Sequence, residues 1–134
     1  MSKRGPLSTK SYVFALDIIK LYKGLIKDKK EFVLSKQLLR SDTSIGAQIR
    51  EAEHAQSNPD FLHKINIALK EANECAYLID LLYDSKYISE LEHKKTLPLC
   101  KELIRMLVAT VKTLKSKKDN LKFTIFFQTH NIII

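Results

Sequence analysis

The sequence is poor in the residues that make turns. It has three glycines and three prolines among its 134 residues. Folds built from many tight β-turns need more of both, so this composition favours helices. Metal-binding cysteine patterns are missing too, because Cys75 and Cys100 stand alone without a CxxC or CxH spacing. Both fall within apolar helical periodicity, which predicts two buried, reduced thiols.

Long apolar runs are also lacking. The longest apolar stretches are far shorter than the roughly 20 residues that a membrane span needs. The first ten residues are polar and basic, and Asp17 and Lys20 interrupt the apolar stretch that follows them, unlike a secretory signal. We therefore expect a cytoplasmic protein that has no membrane partner.

Catalytic and cofactor motifs are absent from the sequence as well. The four histidines are scattered, and none belongs to HExxH or another metal signature. Glu71 and Glu74 lie one turn apart, but they supply no Glu-x-x-His motif of the kind that di-iron bundles use. There is no glycine-rich phosphate loop and no GxSxG motif. The sequence predicts a protein that is not an enzyme and holds no metal or cofactor.

Four segments show the spacing of amphipathic helices, with apolar residues recurring every three or four positions. The predicted helices cover about 8–27, 29–56, 58–86 and 89–118. Short loops between long helices force neighbours to run antiparallel. The sequence therefore predicts an all-α protein, an antiparallel up-down-up-down four-helix bundle formed by residues 1–120.

Capping signals mark the predicted helix starts. They are Asp28 with Glu31, Ser57 with Pro59 and Asp60, and Ser89 with Glu92. Within the fourth helix, Pro98 predicts a kink or a short separate turn before Leu99, because proline removes a hydrogen bond and crowds the preceding turn.

Residues 121–134 differ in composition from the rest of the chain. They are rich in β-branched and aromatic residues, with one lysine and no acid. An exposed tail of this composition resembles an aggregation-prone strand. We expect this segment to be disordered or to pack on a partner subunit.

The positive charge is unevenly distributed. Residues 1–50 carry eleven Lys or Arg and four Asp or Glu, residues 51–90 carry three and eight, and residues 91–134 carry nine and three. Since the first and fourth helices of the bundle are neighbours, their positive charge is expected to add on one side. Such a face suits nucleic-acid phosphates, and the preponderance of lysine favours contact with the backbone over reading of bases. The candidate nucleic-acid-binding residues are Arg4, Lys10, Lys20, Lys23, Lys27, Lys101, Arg105, Lys112 and Lys115.

A second hypothesis is a protein-interaction scaffold or accessory subunit without direct nucleic-acid contact. In that case acidic residues such as Glu71, Asp80 and Asp84 would meet a basic partner. The second helix also carries a ladder of polar residues beside its apolar stripe, formed by Arg40, Ser44, Gln48 and Glu51. In a lone bundle this ladder would be a solvated face, and in an oligomer it would offer hydrogen bonds between helices or subunits. The structural interpretation is favoured, because charged residues beside a core stripe usually flank it.

A stretch from Phe32 to Leu82 resembles a known family. Gln37-Leu38-Leu39-Arg40, Ser44-Ile45, Ala47, Ile49 and Glu51, followed by Phe61, Ile67-Ala68 and Glu74, are similar to the signature of the bacterial four-helix-bundle proteins first noticed in 23S rRNA intervening sequences. Gln48 and Ala52 stand where that family often has Asn and Gly. The accessory protein of diversity-generating retroelements is a relative with the same fold.

The resemblance implies a homo-oligomer, a pentameric ring, with a basic surface that binds nucleic acid or, in the retroelement relatives, a reverse transcriptase. It also implies a structural or subunit-interface role for the motif residues, which are Gln37, Arg40, Ser44, Gln48, Glu51 and Glu74.

Overall fold

Four helices make up the fold, as predicted. A computed structural model of the chain describes the backbone of residues 5–129 and the side chains of residues 5–116. The helices are α1 (Pro6–Lys27), α2 (Leu34–Ala52), α3 (Asn58–Asp84) and α4 (Glu90–Thr129). No strand occurs within the described backbone. The all-α fold class is therefore confirmed.

The helices pack in a ring in which each contacts its neighbours along the chain, and α4 returns to contact α1. Their apolar stripes meet in one core, whose largest fully buried side chains include Phe14, Ile18, Leu38, Ile45, Ile79 and Leu103. Small residues of α3 let α4 approach closely, so that the Cys100 thiol donates a hydrogen bond of 3.3 Å to the Ala72 carbonyl oxygen. Cys75 and Cys100 are both buried and free, as predicted.

Three side-chain contacts show how the antiparallel helices are aligned. Lys10 of α1 pairs with Glu102 of α4, and Arg40 and Glu51 of α2 pair with Glu74 and Lys64 of α3. Between α2 and α3 the residue numbers rise on one helix as they fall on the other. The α1–α2 and α3–α4 connections therefore share one end of the bundle, and the α2–α3 connection lies at the other.

The helix starts show which capping signals operate. Ser57 accepts a hydrogen bond from the Asp60 backbone N–H at 3.2 Å, as expected for its cap. Ser89 and Glu92 form a reciprocal capping box, with bonds of 3.1 and 2.9 Å.

The start of α2 differs from the expected position near residue 29. Asp28 belongs to the end of α1, where its N–H donates to the Gly24 carbonyl oxygen at 2.8 Å. Glu31 alone then caps α2, which begins at Leu34.

α4 is longer and less interrupted than the sequence predicted. It stays helical through Pro98, so the separate turn expected before Leu99 does not form. Pro98 is exposed, while Thr96 and Cys100 beside it are buried and anchor the flanking turns to the core.

The helix also continues through residues 121–129, part of the segment that was expected to be disordered or to pack on a partner. Its packing on a partner stays a prediction. Extending an existing helix requires no new nucleus and adds a backbone hydrogen bond for each residue. Residues 130–134 of that predicted tail lie outside the described residues.

Candidate nucleic-acid interface

The predicted nucleic-acid-binding residues divide into paired and unpaired cations. Lys10 is neutralised by Glu102, whose carboxylate oxygen lies 2.8 Å from the Lys10 Nζ atom. The other candidates within the described side chains are exposed and form no ion pair with a described acid. These unpaired residues are Lys20, Lys23, Lys27, Lys101, Arg105, Lys112 and Lys115. Arg4 lies outside the described residues.

The unpaired cations are spread along the length of the bundle, and their sharing of one side stays a prediction. With Lys10 level with Glu102, Lys27 lies ~25 Å along α1 in one direction, at a rise of 1.5 Å per residue. Lys112 lies ~15 Å along α4 in the opposite direction. The α1 group, Lys20, Lys23 and Lys27, therefore approaches the end that carries two loops, while the α4 group runs towards the other end.

The connection between α1 and α2 adds further cations to the α1 group. Lys29, Lys30 and Lys36 are exposed, as are the apolar side chains of Phe32 and Val33, at 58% and 71%. We call residues 27–36 the α1–α2 corner. The predicted second helix began at residue 29 and so included most of this segment, and the exposed apolar pair went unrecognised.

Glu31 organises the corner from within. Its buried carboxylate accepts hydrogen bonds from the backbone N–H groups of Val33, Leu34 and Ser35, at 3.1, 2.9 and 2.7 Å. The Ser35 hydroxyl donates to the Glu31 carbonyl oxygen at 2.7 Å, and the Glu31 N–H donates to the Leu25 carbonyl oxygen at 3.0 Å. The first turn of α2 is thus already satisfied by this carboxylate, and no free anion site remains there.

The pKa of Glu31 reflects two opposing effects. Burial by itself would raise the pKa, but the hydrogen bonds from Leu34, Ser35 and Val33 outweigh it and lower the pKa below its usual value. Glu31 is therefore ionised near neutral pH, yet its charge is turned inward. Asp28 is the exposed acid of the corner.

Two members of the polar ladder of α2, Arg40 and Glu51, contact α3 within the chain. The Arg40 Nη2 atom lies 3.1 and 3.3 Å from the two carboxylate oxygens of Glu74, and Nη1 lies 3.7 Å from Glu71. The Ser44 hydroxyl donates to the Arg40 carbonyl oxygen at 2.8 Å, and Glu51 approaches Lys64 at 3.9 Å. Gln37 is exposed and Gln48 is half-buried.

Two of the acids proposed for a scaffold surface are engaged inside the chain. Glu71 faces Arg40, and the Asp80 carboxylate lies 2.9 Å from the Nε2 atom of His93. The His93 ring also stacks on Tyr83, with ring centroids 4.2 Å apart, so this cluster joins α3 to α4. Asp84 is exposed.

Asp42 is a buried charge that the sequence interpretation missed. It is 1% exposed, and neither carboxylate oxygen has a hydrogen-bond partner. Burial raises its pKa to about 7. Burial likewise raises the pKa of Cys100 to about 12, and the nearby Asp42 charge adds to that rise. The sequence does contain an indication of this burial. Asp42 lies four residues after Leu38 and three before Ile45, within the apolar stripe of α2.

An open groove of about 560 Å³ lies at the end of the bundle opposite the α1–α2 corner, between the start of α1, the end of α2 and the start of α3. Its lining is mostly apolar, and its titratable side chains are Glu53 and His54. Within the described part of the chain, no three His, Cys, Asp or Glu side chains converge as a metal ion would require. None of the helices there has a stretch long and apolar enough to cross a membrane.

Comparison with known proteins agrees with the geometry of the bundle. No curated protein matches the chain at a significant level. The chain is similar to a protein of unknown function from the S23 ribosomal protein family of Bacteroides thetaiotaomicron, whose crystal structure was solved at 1.70 Å. The two are 49% identical with a TM-score of 0.78, over 79% of this chain and 98% of that chain. The family profile described as 23S rRNA-intervening sequence protein matches residues 7–109, which include all four helices up to the middle of α4. The chain therefore belongs to the 23S rRNA-intervening sequence protein family.

Proposed function

We propose that this protein is a non-catalytic, homo-oligomeric helical bundle that binds the backbone of RNA or DNA through its exposed cations. The observation that carries the proposal is the contrast between Lys10, which pairs with Glu102, and the seven unpaired candidates on α1 and α4. An unpaired surface lysine can neutralise a phosphate without first losing a protein partner. Binding by such contacts releases counterions, so it weakens steeply with salt.

A salt titration tests the proposal. The fluorescence anisotropy of a labelled oligonucleotide would be measured from low to physiological salt. We expect a linear fall of log affinity with log salt concentration, with a slope of about 0.7 for each phosphate neutralised on a single strand. An affinity that does not change with salt, or no binding at low salt, would contradict the proposal.

Matched charge removals locate the contacts. One variant replaces Lys20, Lys23 and Lys27 by Gln, and a second replaces Lys101, Arg105 and Lys112 by Gln. The control replaces the paired residues Lys10, Lys64 and Lys94 by Gln, which removes the same formal charge. We expect at least one test variant to reduce the salt slope more than the control does. An equal decrease of the salt slope in the two test variants and the control would indicate attraction by net charge alone.

The proposal of a homo-oligomer is supported by an uncovered apolar strip on α1. Tyr12, Val13 and Leu16 lie close together on its outer face, and each is about half exposed. A contiguous apolar patch of this kind is typical of a surface that another protein covers. The family resemblance suggests five copies in a ring. Light scattering after size-exclusion chromatography would give the mass, and Leu16→Glu should reduce it; a monomeric mass for the unsubstituted protein would contradict the proposal.

The scaffold hypothesis has less support because Glu71 and Asp80, two of its three named acids, already pair with Arg40 and His93. Pull-down with and without nuclease separates the two functions. A partner that is lost after nuclease treatment supports nucleic-acid binding, and one that stays bound supports the scaffold.

A further inference from the structure

The α1–α2 corner brings exposed, unpaired lysines and exposed apolar side chains together in one short connection. Lys27, Lys29, Lys30 and Lys36 are exposed and unpaired with any described acid. Phe32 and Val33 lie in sequence among these lysines and expose more than half of their surfaces. By contrast, the exposed Tyr77 lies on the outer side of α3, and that helix carries seven acids and lysines of mixed sign.

Internal hydrogen bonds hold this arrangement in place. The inward-facing Glu31 carboxylate accepts hydrogen bonds from the backbone N–H groups of Val33, Leu34 and Ser35. The Glu31 N–H donates to the Leu25 carbonyl oxygen. The residue before it, Lys30, has a φ of 55°, in the left-handed region. The turn thus places Glu31 inside and leaves Phe32 outside. A rigid aromatic side chain loses little conformational entropy on binding, which favours a contact role.

The partner of such a corner should offer both negative charge and flat apolar surface. A single strand of nucleic acid offers phosphates and unpaired bases, and bases stack on aromatic side chains in proteins that bind single strands. A duplex keeps its bases stacked inside, so it can use the lysines but not Phe32. The chain's own residues 120–134 are apolar but contain no acid, and they would bring more positive charge to the lysines.

We propose that the α1–α2 corner holds a single-stranded segment of RNA or DNA, with a base stacked on Phe32 and phosphates against Lys27, Lys29 and Lys30. This inference rests on the proposed nucleic-acid function, and it adds the position of the site and the preference for unpaired bases.

The absence of tryptophan from the chain gives a direct test. Phe32→Trp introduces a single indole at the corner, and Tyr77→Trp provides a control indole at an exposed aromatic position of α3. We expect a 12-nucleotide oligothymidine to quench the Trp fluorescence of the Phe32→Trp protein and to leave the control unchanged.

Removal of the aromatic face gives the second readout. Phe32→Ala and Phe32→Leu should each weaken binding of the 12-mer about tenfold, in the range known for loss of one stacked base, while binding of a duplex of equal length changes less than twofold. Tyr77→Ala should change neither. Because Phe32 is exposed, the substitutions are expected to leave the helical circular dichroism and the melting temperature intact.

The possible results separate this inference from the proposed function. Binding that is salt-dependent but equal for single and double strands, and unchanged by Phe32→Ala, overturns the corner site and leaves the proposed function standing. No binding of either nucleic acid at low salt overturns both. The third result is a Phe32→Trp fluorescence emission that shifts when anionic phospholipid vesicles are added but does not change with the 12-mer. This result would assign the corner to a lipid surface and would also overturn the inference.

Discussion

Two carboxylates are buried around α2, and their surroundings differ completely. At the corner, Glu31 accepts three backbone N–H groups and keeps a lowered pKa. In the middle of the helix, Asp42 has no hydrogen-bond partner, and burial raises its pKa to about 7. A helix start offers free N–H groups within a few residues of a carboxylate, whereas a helix interior has already used its own. The place along the helix, more than burial, decides whether a buried acid stabilises this protein.

The largest effect is expected from removing the charge at Asp42. In the folded protein its pKa lies above the value of about 3.9 for an unfolded Asp, so the folded state binds more protons between these two values. The stability contributed by the neutral carboxyl is therefore present below about pH 4 and is lost as the pH rises to about 7. We expect Asp42→Asn to raise the free energy of unfolding by about 3 kcal/mol at pH 8 and to change it little at pH 4.

Urea unfolding of both proteins at several pH values would measure this difference. The exposed Asp84→Asn serves as a control and should leave the profile unchanged. An equal effect of Asp42→Asn at pH 4 and pH 8 would show that folding does not raise the pKa of Asp42.

The next largest effect is expected from Glu31, and it should lower the free energy of unfolding. Glu31 contributes stability at high pH, whereas the neutral Asp42 contributes it at low pH. Glu31→Gln removes the charge that the three N–H groups stabilise, and we expect a loss of about 2 kcal/mol at pH 7. Because the pKa of Glu31 is lowered on folding, its contribution is present above about pH 4.5 and is lost as the pH falls through the folded value. The loss caused by Glu31→Gln should therefore shrink in acid.

The same urea titrations test this second prediction, with the exposed Glu53→Gln as the control. As the pH rises, Asp42→Asn should become more stable and Glu31→Gln less stable, each relative to the unsubstituted protein. If both changed in the same direction, the contrast between the two sites would be wrong. Unchanged stability of Glu31→Gln at pH 7 would show that the three hydrogen bonds are replaced by water without loss.

The smallest effect concerns a carboxylate that lies at the surface. Arg40 and Glu74 form an ion pair between α2 and α3 that is partly exposed to water. A double-mutant cycle with Arg40→Ala and Glu74→Ala should give a coupling free energy of about 0.5 kcal/mol, which decreases with salt. A coupling above 2 kcal/mol that ignores salt would mean that the pair is shielded from solvent, as it would be if another copy of the chain covered it.

Most of the fold could be predicted from the sequence because it follows from local chemistry. The caps at Ser57 and Ser89 depend on residues three positions away, and both form as expected. The error at the start of α2 arose where two acids competed for the same role. Asp28 and Glu31 have a capping spacing, and only the packed chain shows that Asp28 stays with α1.

The candidate interface was less predictable than the fold. The identity of the lysines was evident, but the level at which each lies along the bundle depends on how α1 and α4 align. That alignment is visible in the contact between Lys10 and Glu102, which are 92 positions apart in the sequence. The predicted antiparallel order already implies that the C-terminal parts of α1 and α4 point to opposite ends, but the pairing of Lys10 with Glu102 could not be predicted.

The sequence by itself determined that this chain forms four amphipathic helices with an excess of positive charge, because periodicity and composition act within a few residues. The tertiary structure alone decided which charges remain free. It pairs Lys10, turns Glu31 inward and buries Asp42, while Phe32 and its neighbouring lysines stay in water. Such outcomes depend on which groups meet across helices, and contacts between distant residues are set by packing of the whole core.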